Sequence, residues 1–355
     1  MQTTTGRTDI LSAARAEANT GLRERAREAI GLQIAIVSFL VIALSAIPAF
    51  GLRAAPIAGL GSVGQFVAIT SAGVAAVAFI LGLVAVSRSD EPRRLAFVDY
   101  IDVAAFAVAH AVIALLGWTL ISVIVDEGLV GAQVFPLPVL LLSGATAGLT
   151  AYMSYFSATH LDLQLLATIL AVFLVLGILA SMLTASDPQW WKDNLSALGM
   201  TDDLSARTFN LTLIVAGVLV TTLARYATKD MRTEYPGGAA AVRTCLIIIG
   251  MFLACVGVFP VDQHFALHTG VASGMAATFA ILVIALHWWL PDVTRTFLVL
   301  GYVFLISVVV LAVMFAVGYY TLTAVELIVG VMIFSWLILF IRAADAMTKD
   351  AAARS

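Results

Sequence analysis

Ten apolar runs, separated by short polar stretches, decide what this chain can fold into. They fall at residues 29–51, 65–87, 97–125, 138–158, 163–184, 209–227, 244–260, 265–290, 296–318 and 321–342. A helix needs about 20 apolar residues to cross a bilayer, and tilt absorbs a few more or fewer. Each run is therefore long enough to span, or nearly so. Of the 355 residues, 61% are hydrophobic and 12% charged. A soluble domain is about 45–50% apolar and about 25% charged, and a disordered chain needs low hydrophobicity with high charge. Both classes are excluded. No alternation of Val and Ile with polar residues marks barrel strands, and irregular backbone cannot face lipid. The reading is an all-α, polytopic transmembrane bundle of about ten helices.

Basic residues orient it. With the N-terminus in the cytoplasm, 16 of the 19 Lys and Arg residues fall on the cytoplasmic side, leaving Arg53, Lys192 and Arg207 outside. The positive-inside rule then places both termini in the cytoplasm, and the expected location is the plasma membrane. The chain divides into a cytoplasmic N-terminal segment (1–28), a four-helix membrane module (29–158), a six-helix membrane unit (163–345) and a cytoplasmic tail (346–355) that frays after Arg342. The first segment is rich in Ala, Arg and Glu and reads as a helix leading into the first span. It holds no apolar h-region, so a cleavable signal is not expected.

Several chemistries are absent from the sequence. A net charge of −3 offers no basic face for phosphate, so no nucleic-acid partner is expected. Cys245 and Cys255 share one apolar run and read as small buried hydrophobes. There is no P-loop and no GxSxG. Lys192, Lys229 and Lys349 all lie outside the spans, which excludes a retinal-type Schiff base.

Polar clusters are the informative part of so apolar a chain. The densest is the outer loop after the fifth run, Ser186 to Asp203. Asp187-Pro188 reads as an N-cap and first helical position, and a short helix can carry Trp190 and Trp191 along the headgroup region. Lys192, Asp193 and Ser196 add groups that bind a headgroup. A second cluster, Gly257 to His268, falls on the same side. Pro260 ends the seventh helix and Asp262 is expected to cap the eighth. His264 and His268 are spaced i, i+4 on one face, a spacing that suits one metal ion. A third ligand would come from Asp262, Asp193 or the Asp126-Glu127 loop, with Zn the candidate metal. The competing reading is two interfacial histidines bonded to loop carbonyls or lipid phosphate.

Inside the spans, His110 falls near the middle of the third run and Glu326 near the outer end of the tenth. A charge at mid-helix costs on the order of 2.5–3.5 kcal/mol on insertion scales, so both should face the bundle or a wet cavity. Asp99 and Asp102 start the third helix, where the dipole favours acids. Gly144/Gly148 and Gly270/Gly274 have the GxxxG spacing of close helix packing. The same small-residue faces could instead meet a second copy or a partner membrane protein. Pro56 to Gly61 loosely echoes Leu195 to Gly199, as a parallel repeat or as chance in Ala/Gly/Leu-rich sequence.

The quoted motifs also carry a resemblance. Asp193-Asn194-Leu195-Ser196-Ala197-Leu198-Gly199, then Phe209-Asn210 opening a helix with Gly217, then Gly257-Val258-Phe259-Pro260-Val261-Asp262 and Leu267-His268 resemble the prokaryotic integral membrane family called domain of unknown function 998. Its members are similar to a six-helix unit with an SxLG loop after the first helix and an FPxD…H segment after the third. Here that unit covers about residues 163–345, and the four helices before it are an added module or a divergent copy. The layout is similar to the eukaryotic Frag/DRAM/Sfk proteins, which are linked to lipid organisation and remodelling. The resemblance implies an outer polar site built from Asp193, Ser196, Asp262 and His268. It supplies no reaction and does not cover His264.

The leading expectation is a protein that binds or handles a lipid or envelope-precursor headgroup at an extracytoplasmic site of Trp190, Trp191, Lys192, Asp193, Ser196, Asp262, His264 and His268. One alternative is an intramembrane metal-dependent lipid hydrolase using His264, His268 and Asp262. The other is a permease for a small solute or amphiphile, with His110 and Glu326 along its path. Membrane lipids are the expected partners throughout.

Overall fold

The computed structural model describes residues 5–87, 97–229, 231 and 235–354. The expected basic loop 88–94 lies outside them. The helices are α1 (Thr5–Phe50), α2 (Val63–Ser87), α3 (Phe97–Gly128), α4 (Pro136–Thr159), α5 (Leu163–Leu183), α6 (Leu204–Ala227), α7 (Pro236–Val258), α8 (Phe265–Trp289), α9 (Arg295–Ala316) and α10 (Leu322–Arg354). Among the described residues, ten helices are long and apolar enough to cross a membrane. The chain is thus an all-α, multi-pass membrane protein.

Three boundaries differ from the hydropathy reading, each for a local reason. α6 begins at Leu204 rather than 209, because the Asp203 side chain accepts the Ala206 amide as an N-cap and carries the polar residues Arg207 and Asn210 into the first turns. α7 begins at Pro236, since proline suits a first helical position. α10 continues past Arg342 to Arg354, where Ala, Met and Lys favour helix even outside the apolar stretch.

By contact density the chain forms two compact units, residues 1–94 with 114–160, and residues 95–113 with 161–355. The boundary therefore runs through α3, whereas the hydropathy reading keeps that helix whole in the first module. The physical reason is Asp102 in its first turns. Asp102 is 6% exposed. It accepts a 2.7 Å hydrogen bond from Thr222 and pairs with Arg225, both on α6. The expected role of Asp102 as a helix-dipole acid thus gives way to a partly buried ion pair.

The first unit is organised by α4, which packs on α1 and α2. Gly144 and Gly148 face the Phe39 and Ala35 carbonyls at a distance that leaves room for no side chain, so this GxxxG pair serves close packing. Trp118 donates to Thr150 at 2.9 Å. The segment after α1 pairs with the segment before α4 in a two-residue antiparallel ladder, Ala55 opposite Val134 and Pro56 opposite Gln133. Beneath it lies a cluster of Ala46, Ala55, Val63, Val67 and Val139.

In the second unit α5 packs on α6, α6 on α7, α7 on α8, α8 on α9, α9 on α10, and α10 returns to α5 and α6. Trp336 is fully buried at its centre. It stacks on Phe340 at 5.5 Å and meets Phe279 edge-on at 5.3 Å. α6 and α7 approach closely through glycines. A methyl on Gly250 would lie 2.6 Å from the Gly217 carbonyl, and one on Gly257 would lie 2.6 Å from the Asn210 carbonyl. Gly270 has open space around it, so the second GxxxG spacing does not mark a backbone contact.

Candidate functional site

The α5–α6 connection carries most of the polar residues singled out in the sequence. Asp187 accepts the Gln189 amide at 2.8 Å, an Asx turn rather than a helix cap. A 3-10 turn, Trp190–Lys192, follows and presents the expected tryptophan pair. Trp191 and Lys192 are exposed and Trp190 is half-buried. The Lys192 ammonium lies 5.8 Å from the Trp191 ring and donates to Gln189 at 2.9 Å. Asp193 is exposed at the end of this turn.

A second 3-10 turn, Leu195–Gly199, is tied to three helices. From α10, the Glu326 carboxylate accepts the Leu195 amide at 2.6 Å. From α8, His268 lies 3.0 Å from the Ser196 hydroxyl through Nε2, while its Nδ1 meets the Phe259 carbonyl at 2.7 Å. From α6, Asn210 donates to the Gly199 carbonyl at 3.1 Å. A Cβ at Gly199 would sit 2.5 Å from the Asn210 side-chain oxygen, so a larger residue there would push Asn210 off the Gly199 carbonyl. The start of α6 is also held. Ser181 donates to the Ser205 carbonyl at 3.0 Å and Ser205 to the Ser181 carbonyl at 2.8 Å.

These bonds fix the tautomer of His268. A carbonyl only accepts, so Nδ1 carries the proton, and Nε2 of the neutral ring is an acceptor. The Ser196 hydroxyl therefore donates to Nε2. His268 is 6% exposed and Ser196 is half-buried. The Asn194 side-chain oxygen, two residues before Ser196, and the Thr323 hydroxyl oxygen, three residues before Glu326, are buried without hydrogen-bond partners.

The electrostatics at the loop edge are set by Asp203. Side-chain hydrogen bonds from Ser186 and Thr201, with the Ala206 amide, hold its carboxyl down at about 2. It stays charged at any physiological pH and anchors the loop to the first turn of α6.

The sequence-expected residues thus separate into two sets. Ser196 and His268 are brought together, and Glu326 joins them through Leu195. Asp262 and His264 are exposed and stand apart from this network. One expectation is corrected. Asp262 does not cap α8, whose N-cap position is His264, with no side-chain cap bond. The structure does not bring His264, His268 and Asp262 together as one ligand set. Both nitrogens of His268 are already engaged, His264 packs edge-on against Phe259 at 5.6 Å, and among the described residues no three His, Cys, Asp or Glu side chains converge to hold a metal ion. His110 bonds to the Phe106 carbonyl of its own helix at 2.8 Å. Cys245 is buried and Cys255 half-buried, and neither forms a disulfide.

The sequence reading takes Asn194 only as one of the loop groups around Lys192 and gives no role to Asn210 or Thr323. Glu326 was the available signal for them, because an acid inside a span must find a donor, and a loop amide at the same end supplies it.

A family model described as "Protein of unknown function (DUF998)" matches residues 166–343, the stretch that holds α5 to α9 and the apolar part of α10. No curated protein and no solved structure matches the chain.

Proposed function

Taking as premise that the chain belongs to the DUF998 family of multi-pass membrane proteins, whose description assigns no activity, we propose that it binds a lipid or envelope-precursor headgroup at the α5–α6 loop. The supporting observation is the pairing of an exposed aromatic–cation element with a buried polar turn. Trp191 and Lys192 stand at the surface, and three residues on begins the turn held by Glu326, Ser196 and His268. Tryptophan partitions to the membrane boundary, and an ammonium meets a headgroup phosphate as a point charge. The proposal places this face outside the plasma membrane with both termini in the cytoplasm, as the Lys and Arg distribution favours. The resemblance to the Frag/DRAM/Sfk layout leads in the same direction.

The test is mass spectrometry of lipids that co-purify with the protein in detergent. Wild type carries an anionic lipid class that Lys192→Ala and Trp191→Ala lose together. Identical lipid content in wild type and both variants would remove the headgroup site. No observation favours the permease reading, since His110 bonds its own helix and Glu326 a loop amide.

A further inference from the structure

The Ser196–His268 pair does more than a loop anchor needs. Holding the turn in place is already done by Glu326 on Leu195 and Asn210 on Gly199. The third tie is a serine hydroxyl donating to a neutral imidazole, and the far side of that imidazole is fixed by a backbone carbonyl. This order of groups is a nucleophile, a base in hydrogen-bond reach at 3.0 Å, and an orienter of the base. The orienter holds Nε2 in the acceptor form, the form that takes a proton. The serine stands on a tight turn, half-buried rather than sealed. The Asn194 side-chain oxygen two residues before it lacks a partner, as does the Thr323 hydroxyl one helical turn from Glu326. Buried polar atoms without partners need an explanation, and the polar part of a bound molecule would satisfy them.

We infer that Ser196 is a nucleophile and His268 its base, and that together they accept an acyl group from an ester-bearing lipid without a metal ion. This rests on the headgroup-binding reading, because the lipid held there presents the ester. In the first step the Ser196 Oγ attacks the ester carbonyl carbon and its proton passes to His268 Nε2. The tetrahedral adduct collapses, the C–O bond to the alcohol breaks, and the departing alkoxide takes the proton from Nε2. Ser196 is left as its acyl ester. In the second step a water or an acceptor hydroxyl gives its proton to Nε2 and attacks the acyl carbon, which frees the Ser196 oxygen to recover that proton. No electrons change hands, and the co-reactant is the water or acceptor alcohol. His268 acts as base and then acid, a role worth about 100- to 10,000-fold in rate.

The experiment treats the full-length protein in detergent with a long-chain alkyl fluorophosphonate, on which a serine oxygen displaces fluoride. The adduct is mapped by peptide mass spectrometry, and co-purified lipids are quantified in the same samples. The expected result is an adduct on Ser196 that is absent in Ser196→Ala and reduced at least about 100-fold in His268→Gln. The Tm of each variant is measured in the same samples, so that loss of the adduct is read only on folded protein. A folded wild-type chain that retains lipid but shows no adduct on Ser196 overturns the acyl-transfer proposal and leaves headgroup binding standing. An adduct on Ser196 in a chain that carries no Lys192-dependent lipid removes the headgroup reading instead. Should His268→Gln fail to fold, the comparison of wild type with Ser196→Ala decides alone.

Discussion

Glu326 and Leu195 are 131 positions apart in sequence and 2.6 Å apart in the fold, carboxylate oxygen to amide nitrogen. The bond gives an acid inside a membrane span its donor and fixes the turn that carries Ser196. Glu326→Leu leaves the Leu195 amide unsatisfied, at a cost of about 1–3 kcal/mol. Glu326→Gln keeps an acceptor and should cost less. Thermal unfolding in detergent, followed by the fluorescence of Trp190 and Trp191 in the adjoining turn, should rank wild type above Glu326→Gln and Glu326→Leu lowest. Equal Tm for all three would mean that the bond does not hold the turn.

The two histidines of the α7–α8 loop should behave oppositely. His264 is exposed with no cap bond, so His264→Ala should shift stability by no more than about 0.5 kcal/mol. His268→Ala strands the Phe259 carbonyl and the Ser196 hydroxyl together and should lower Tm clearly. Elemental analysis beside these variants checks the same point, because zinc lost equally from both would restore the metal pair.

Asp203 makes the loop acid-sensitive. Its folded carboxyl sits at about 2, below its ordinary value of 3.8. A depressed value means that the folded chain binds fewer protons than the unfolded one. Its stabilising contribution is complete above the unfolded value and is lost as pH falls from about 4 through about 2. Asp203→Asn should therefore be less stable than wild type at pH 6, and the gap should narrow steadily towards pH 2. A gap independent of pH would show that the carboxylate charge is not what caps α6.

The helix contacts separate two kinds of glycine. At Gly250 a methyl meets the Gly217 carbonyl, and overpacking of this kind costs about 1–3 kcal/mol. At Gly270 a methyl meets nothing within 4 Å, and replacing a mid-helix glycine gains about 0.5–1 kcal/mol. Gly250→Ala should lower Tm and Gly270→Ala hold or raise it.

Asp102 and Arg225 form a partly buried pair between α3 and α6, so the cost of a single break falls at or below the range for fully buried pairs. Breaking a fully buried pair from one side costs about 3–5 kcal/mol, whereas replacing both partners by apolar groups costs far less. A double-mutant cycle of Asp102→Leu and Arg225→Leu should show the double variant more stable than either single one.

Ten spans are legible because hydropathy counts residues against bilayer thickness, and that arithmetic needs no partner; the ends of α6, α7 and α10 are not, because caps and helix propensity set them outside the apolar runs. The polar ties were not legible in the same way. Glu326 was recognisable as an acid in need of a donor, but the donor is a backbone amide, and amides look alike in sequence. Asp102 read as a dipole acid because Arg225 stands 123 positions away. His264 and His268 read as a pair because spacing reports helix faces. It does not report that the helix begins between them, at Phe265. Gly217 and Gly250 lie on different helices, so no spacing rule within one helix finds them, while Gly270 and Gly274 satisfy such a rule without Gly270 touching a neighbour. The echo between Pro56–Gly61 and Leu195–Gly199 does not extend to structure. Ala55 and Pro56 pair in a short ladder, whereas Leu195–Gly199 is a 3-10 turn.

A five-residue turn tied to α6, α8 and α10 also limits how these helices share a deformation. A thinner bilayer asks each helix to tilt further, but separate tilts of these three would stretch the bonds at Leu195, Ser196 and Gly199. α9 has no such tie to the turn, and only Phe297 and Gly301 along it are buried. A change in the tilt of α9 therefore leaves these three bonds unstretched, while α6, α8 and α10 can hold the spacing of Ser196 and His268 only by tilting together.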